Sequence, residues 1–305
     1  VTGGAGFIGS HFVDILLAND WAVVCYDNLC TGVKENLAHL SENPHFELVE
    51  QDVCQPLVVS GSIDAIVHLA SPASPPEYQE MALQTMDVNS LGTRQVLELA
   101  KAKGARALIA STSEIYGDPL EHPQSESYWG HASSTGPRSM YDEAKRFSEA
   151  LSMIYLRAGL DVKLARIFNT YGPRLRPADG RVISNFLTQA LEGKPLTVYG
   201  DGSQTRSFCY VSDQVSGLFK LLMSDHQGPM NIGNPHEFTI LDLVGAVQEI
   251  VGHECPVLLQ PLPGDDPKQR QPDISLAKEV LDWEPEVELT EGLGITADWY
   301  RQKFS

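Results

Sequence analysis

Two side chains four positions apart, Tyr141 and Lys145, could together move a proton. In Tyr141-Asp142-Glu143-Ala144-Lys145 the spacing puts a phenol and an ammonium on one helix face. A free phenol titrates near about pH 10, too high for a general base at neutral pH, and an adjacent ammonium favours the phenolate. The same spacing arises by chance on solvated helices, so its company matters. The apolar run Ala107-Leu108-Ile109-Ala110 ends in Ser111-Thr112-Ser113-Glu114. A hydroxyl at such a strand tip, Thr112 above all, can hold the substrate oxygen that Tyr141 deprotonates.

A second constellation opens the sequence. Gly3, Gly4, Gly6 and Gly9 satisfy both GxxGxxG and GxGxxG, with Phe7 and Ile8 inside the pattern. Such glycines let the backbone turn tightly against a pyrophosphate, whose charge then rests on a helix N-terminus. An amphipathic segment and an apolar run follow, ending in Tyr26-Asp27-Asn28. Asp27 stands near the distance of about 20 residues expected for the acid that holds an adenosine ribose. A carboxylate there accepts from both ribose hydroxyls and repels a 2′-phosphate, and no Arg follows at once to receive one. NAD is therefore expected over NADP. Its positive nicotinamide would add to Lys145 in drawing the Tyr141 phenol down. Asp52 and Val53, after another apolar segment, are candidates for the adenine, Asp52 through the exocyclic amine, although a plain loop acid reads nearly as well.

Elements of a particular kind must position these groups. Residues 22–26, 65–69, 107–111 and 162–167 are short, nearly continuous apolar runs, which read as buried parallel strands. Between them, residues 10–17, 91–102 and the segment bearing Tyr141 carry helical spacing. The alternation predicts an α/β fold, a Rossmann-type doubly wound parallel sheet, with a smaller loop-rich substrate lobe. The NAD-binding domain is expected over 1–167, with part of 208–232 returning to it, and the substrate lobe over 168–305. Turns rich in Gly, Pro, Asn and Asp support the second part, at 169–180, 200–203 and 261–267.

Bulk properties narrow the function further. A chain of 305 residues, 42% hydrophobic and 20% charged, is ordinary for a globular protein of one large or two closely associated domains. With 22 basic and 40 acidic residues the formal charge is −18, which argues against a nucleic-acid or anionic-membrane surface. A phosphorylated ligand must be held by a few local cations and N–H groups against that field. Cys25, Cys30, Cys54, Cys209 and Cys255 are odd in number and lack CxxC spacing. Reduced, buried thiols in a cytoplasmic compartment are expected, with neither disulfide framework nor metal site. No apolar run approaches the length of about 20 residues that a membrane helix needs. The glycine loop asks for a strand before it and the sequence opens at that strand's end. Further chain is expected upstream, where an anchoring segment would lie outside this sequence.

These motifs resemble the extended short-chain dehydrogenase/reductase family in its sugar-nucleotide branch, over essentially the whole chain. The resemblance includes His68-Leu69-Ala70-Ser71, Ile167-Phe168-Asn169-Thr170-Tyr171-Gly172-Pro173 and residues 199–206, Tyr199 to Arg206. Within the branch, residues 71–76, 180–186 and Arg270-Gln271-Pro272-Asp273 are most similar to the group that decarboxylates UDP-glucuronate to UDP-xylose. The resemblance implies Thr112, Glu114, Tyr141 and Lys145 as catalytic residues. It adds Leu69, Ala70 and Ser71 to Gly3, Gly6, Phe7, Ile8, Gly9, Asp27, Asn28, Asp52 and Val53 around NAD. It also implies Asn169, Arg206 and Arg270 on the diphosphate, Gln204 and Tyr199 near ribose and uracil, and Ser113 and Arg181 on the substrate.

Related 4,6-dehydratases carry an Asp where Ser113 stands, as the acid for a departing hydroxyl. Ser113 cannot be that acid, and it spares a substrate carboxylate like-charge repulsion in a dry site. Glu114 is left to orient a water or the sugar ring. The implied reaction is transient oxidation at the sugar 4-position, loss of carbon dioxide from the resulting β-keto acid, and re-reduction by the same cofactor. A 4,6-dehydratase, a 4-epimerase, a decarboxylase that also makes apiose and a non-catalytic NAD sensor are the competing readings. Asp87 departs from the decarboxylase pattern, which more often has a basic residue there, and it is expected near the sugar pocket. The helices at 91–102 and 141–155 resemble the family's dimer-forming pair, which implies a homodimer.

Overall fold

A computed structural model describes residues 1–177, 179–261 and 269–304. Its centre is a parallel sheet in the order Phe46–Glu50, Val23–Asp27, the opening residues around Thr2, Ala65–His68, Arg106–Thr112, Val162–Ile167 and Gly228–Ile232. Thr2 pairs in parallel with both Tyr26 and His68, so the strand order reverses around it. Ligands of open α/β sheets bind in the crevice at such a switch point, beyond the carboxyl ends of the strands. Those ends carry Gly3, Asp27, Leu69, Thr112 and Phe168.

Alternating side chains explain why helices cover both faces. Leu108 and Ala165 join the core that includes Phe12 and Val13 of helix Phe7–Ala18 and Leu218 and Leu222 of helix Val211–Met223. Their neighbours Ala107, Ile109 and Leu164 point the other way. There they pack with Val96, Leu97 and Ala100 of helix Thr93–Lys103, beside helix Ser139–Arg157. This is the expected Rossmann-type doubly wound fold. Strand Gly228–Ile232 pairs with Val162–Ile167, so the chain comes back to the sheet after entering the lobe.

Among the described residues the lobe holds three small two-stranded ladders. Thr170–Tyr171 pairs with Cys209–Tyr210 and Leu196–Tyr199 with Val257–Gln260, both parallel, while Thr205–Ser207 is antiparallel to Glu237–Thr239. Helices Val182–Leu191, Ile240–Val251 and Leu289–Phe304 pack with them. Of the turn expected at 261–267, residues 262–267 lie outside the described residues. Among the described residues no helix is long and apolar enough to cross a membrane, and no cluster of three or more His, Cys, Asp or Glu could hold a metal ion.

Candidate active site

One cavity of about 1160 Å³ runs along the carboxyl ends of the strands. It exceeds the range of about 300–1,000 Å³ usual for one small ligand. Apart from Gly4 of the glycine pattern, every residue singled out above for cofactor, substrate or chemistry lines it.

At one end lies the glycine loop. Gly3 has φ +73°, and a Cβ there would meet the Ala70 backbone at 2.6 Å. A Cβ on Gly9 would stand 2.0 Å from the Gly3 carbonyl oxygen. Helix Phe7–Ala18 starts at Gly6 with no side-chain cap, so its first N–H groups are available to an anion. Asn36, which no motif announced, donates to the Ala5 carbonyl at 3.0 Å and fixes the loop from outside. The Asp27 carboxylate accepts from the N–H groups of Ala5 at 2.9 Å and Leu29 at 2.8 Å. Burial pushes its pKa up, and those two bonds offset part of the rise. Asn28 donates to Asp52 at 3.2 Å, and Asp52 accepts from the Cys54 N–H at 2.8 Å. A backbone cradle with no room for side chains, an open helix N-terminus and a pinned acid at the next strand end fit a dinucleotide.

Two expectations change at this end. Asp87 acts on Cys54, beside Asp52, and so lies at this end of the cavity. The helix that carries it passes into a π-helical turn at Val88–Gly92, which re-aims the residues after it. The cysteines are all free, but Cys30 is exposed and Cys54 half-buried, since both sit on loops lining the cavity.

In the middle, Thr112 ends its strand and caps the short 3₁₀ turn Ser113–Tyr116, accepting from the Glu114 N–H at 3.2 Å. That sharp turn brings Ser113 and Glu114 to the cavity wall. Tyr141 and Lys145 face them from helix Ser139–Arg157, and the Thr112 hydroxyl lies close enough to the Tyr141 phenol to lower its pKa. Lys145 Nζ lies 5.8 Å from the Tyr141 ring centroid and donates to the Ala110 carbonyl at 2.8 Å. Burial pushes the phenol up to about 12, with the Thr112 hydroxyl and the Arg181 charge pulling the other way. The protein's own groups therefore leave Tyr141 protonated, and the depression expected from Lys145 does not prevail among them. Burial also lowers the Lys145 ammonium to about 7, against Glu149. Tyr78 stacks on Tyr141 with centroids 4.9 Å apart and planes 10° from parallel. No sequence pattern marked it.

The other end is rich in arginine. Glu114 is gripped by Arg270 Nη1 and by Arg138 Nη2, the latter at 2.5 Å, while Arg270 Nη2 donates to the Gly117 carbonyl at 3.0 Å. Burial alone would raise the Glu114 pKa, but the two guanidiniums hold it below the usual carboxylate range. Arg270, expected on a diphosphate, is thus engaged by a carboxylate 156 positions away. Arg138 could have been suspected only from its place three residues before Tyr141. Arg181 is paired with Asp179, its Nη2 3.0 Å from Oδ2. Gln204 donates to the Tyr199 carbonyl at 2.7 Å, Asn169 accepts from the Cys209 N–H at 2.8 Å through its backbone, and Arg206 donates to the Thr205 carbonyl at 2.8 Å.

A family model described as the NAD dependent epimerase/dehydratase family matches residues 1–233. UDP-glucuronic acid decarboxylase 1 of Arabidopsis thaliana is 54% identical over 294 residues, 96% of this chain and 67% of that protein. UDP-glucuronic acid decarboxylase 1 of Danio rerio is 49% identical over 304 residues, 99% of this chain and 72% of that protein. Among solved structures, UDP-glucose 4-epimerase of Thermotoga maritima with UDP-glucose superposes with a TM-score of 0.90 at 29% identity, covering 100% of this chain and 98% of that one. UDP-glucuronic acid 4-epimerase of Bacillus cereus in complex with UDP-glucuronic acid and NAD gives 0.88 at 29% identity, covering 99% and 98%.

Proposed function

The chain belongs to the NAD dependent epimerase/dehydratase family, and from that premise we propose that it removes carbon dioxide from UDP-glucuronate, giving UDP-xylose, with NAD as its cofactor. The observation that carries this reading is one continuous cavity whose glycine-lined and arginine-lined ends meet at Tyr141. Decarboxylases 49% and 54% identical over nearly the full chain support it.

When bound, NAD would supply a reversible hydride acceptor beside the sugar's fourth carbon and a ring charge that favours the Tyr141 phenolate. Gly3, Gly6 and Gly9 with the first turn of the helix would hold its pyrophosphate, Asp27 its adenosine ribose, and Lys145 the second ribose. Tyr141 receives the proton of the 4-hydroxyl while Thr112 holds the oxygen. A ketone at that carbon is β to the carboxylate, so carbon dioxide leaves and an enolate remains on the sugar. Glu114, fixed between Arg138 and Arg270, orients the water that returns a proton to the fifth carbon. Ser113 leaves room beside it without adding a charge. Tyr141 then gives its proton back to the 4-oxygen. Asn169 and Arg206 hold the diphosphate, Gln204 and Tyr199 the ribose and uracil, and Arg181 the sugar side near Tyr141.

The chain acts as a homodimer in the cytoplasm on this reading. Phe147 and Ile154, two turns apart on helix Ser139–Arg157, are exposed, as are Met86 and Leu91 on the adjoining segment. A monomer's mass in solution would contradict the dimer. The activity is tested by incubating the protein with NAD and, separately, UDP-glucuronate, UDP-glucose and dTDP-glucose, then weighing the products. Only UDP-glucuronate should lose 44 mass units (about the mass of carbon dioxide, as β-keto acid chemistry requires). An unchanged mass with inversion at the fourth carbon would make it an epimerase.

A further inference from the structure

Three consecutive residues at the tip of strand Arg106–Thr112 meet three positions on helix Ser139–Arg157. The Ala110 carbonyl accepts from Lys145 at 2.8 Å and the Ser111 hydroxyl donates to Glu149 Oε1 at 2.5 Å, while the Thr112 hydroxyl lies beside the Tyr141 phenol. Glu149 is one turn beyond Lys145 on the same helix and is not itself part of the cavity wall. Its place is fixed from a third element. Arg166 grips it with both prongs, Nε to Oε1 at 3.0 Å and Nη2 to Oε2 at 2.9 Å. Arg166 in turn donates through Nη1 to the Tyr116 hydroxyl at 2.9 Å and the Glu126 carbonyl at 2.8 Å. A bidentate guanidinium pair specifies direction as well as distance.

We infer that Glu149 is a positioning residue for the Tyr141–Lys145 pair: its carboxylate locks the strand tip bearing Thr112 to the helix and supplies the negative charge that keeps the buried Lys145 ammonium in place. This rests on the reading of Tyr141 and Lys145 given above. The charges around Lys145 leave that task to Glu149. On its own helix lie Tyr141, a protonated phenol, and Asp142, whose carboxyl is raised by burial to about 7 and whose charge neighbours are Glu114, Arg138 and Arg270. From strand Ala65–His68 it faces His68, which burial keeps neutral by lowering its pKa to about 3. From strand Val162–Ile167 comes Arg166, a cation that would repel the ammonium without the carboxylate between them. Burial already lowers Lys145 to about 7, and Glu149 is the group that opposes it. Glu149 therefore acts on the cofactor ribose and on Tyr141 only through Lys145 and Ser111.

The test is the pH dependence of NAD affinity, measured by isothermal titration of the intact protein without substrate, beside the pH profile of turnover. Glu149→Gln keeps the acceptor for Ser111 but removes the charge. Its alkaline loss of NAD affinity should begin about one pH unit lower than in the parent, a roughly tenfold weakening at slightly alkaline pH. At mildly acid pH, with Lys145 protonated in both, affinities should agree within about twofold. Arg166→Gln, which leaves the carboxylate uncompensated, should move the same limb to higher pH. Glu149→Asp, which keeps the charge, should restore the parent's midpoint. A loss of affinity equal at all pH values, or the same direction of shift for Glu149→Gln and Arg166→Gln, would overturn the inference. Should Glu149→Gln not fold by circular dichroism, Arg166→Gln and Glu149→Asp decide it. A parent that fails to bind NAD would sink the underlying reading instead.

Discussion

Replacing Arg270 with Met removes a guanidinium from the Glu114 clamp and keeps most of the apolar stem. Arg270 is 3% exposed, and its side chain bonds both Glu114 and the Gly117 carbonyl. Deleting one partner of a buried ion pair typically costs about 3–5 kcal/mol, because the other charge is left uncompensated. Arg138 still holds Glu114 at 2.5 Å, so a loss of about 2–3 kcal/mol is expected here. The sign of its pH dependence follows from the direction of the Glu114 shift. In the parent the pKa is depressed, so the clamp's contribution is complete above the ordinary glutamate value of about 4.3 and fades only as pH falls through the lower folded value. In the variant burial gains the upper hand, the folded value rises above the ordinary one, and the carboxyl takes a proton on mild acidification. The gap between parent and variant should thus be widest near about pH 7.5 and narrow towards about pH 5. Urea unfolding followed by circular dichroism at several pH values measures it. A gap below about 0.5 kcal/mol at neutral pH, or one that widens on acidification, would refute the reasoning.

Other perturbations probe the remaining parts of the cavity. Gly9→Ala drives a methyl to 2.0 Å from the Gly3 carbonyl oxygen, so the loop must move and NAD affinity should fall about 10- to 100-fold, or about 1.4–2.7 kcal/mol; an unchanged dissociation constant by titration contradicts the cradle. Asp27→Asn removes the charge facing the ribose, and the preference for NAD over NADP should shrink about tenfold or more, read from paired titrations. Tyr141→Phe should lower turnover by at least about 100-fold while leaving NAD affinity within about threefold; substantial residual activity would remove Tyr141 from its role.

Much of this was legible because its signals are local. The glycine loop, the strand tip and Tyr141–Lys145 are each short motifs next to apolar runs of the right length, and the central strands are buried on both faces. Edge strand Phe46–Glu50 is harder to read, since its burial is only partial and no face alternates cleanly. The lobe's ladders are two to four residues long, too short for periodicity to show. Long-range pairs were invisible for another reason. Nothing in the sequence near Arg270 tells that it pairs with Glu114, and a basic residue in a motif reads the same with or without such a partner. Asp87 misled because a motif position gives a neighbourhood but not the direction of the side chain. Glu149 had a signal, its i+4 spacing from Lys145, but such pairs are common on solvated helices.

The central claim is a closed cycle of oxidation, loss of carbon dioxide and re-reduction on one bound substrate. It is tested most directly by turning over UDP-glucuronate in deuterium oxide with a trace of NAD and locating the hydrogens of the product by NMR. Expected is UDP-xylose with its original hydrogen at the fourth carbon, one deuterium at the fifth, and no build-up of NADH. Deuterium at the fourth carbon, or NADH accumulating in step with carbon dioxide, would contradict the claim.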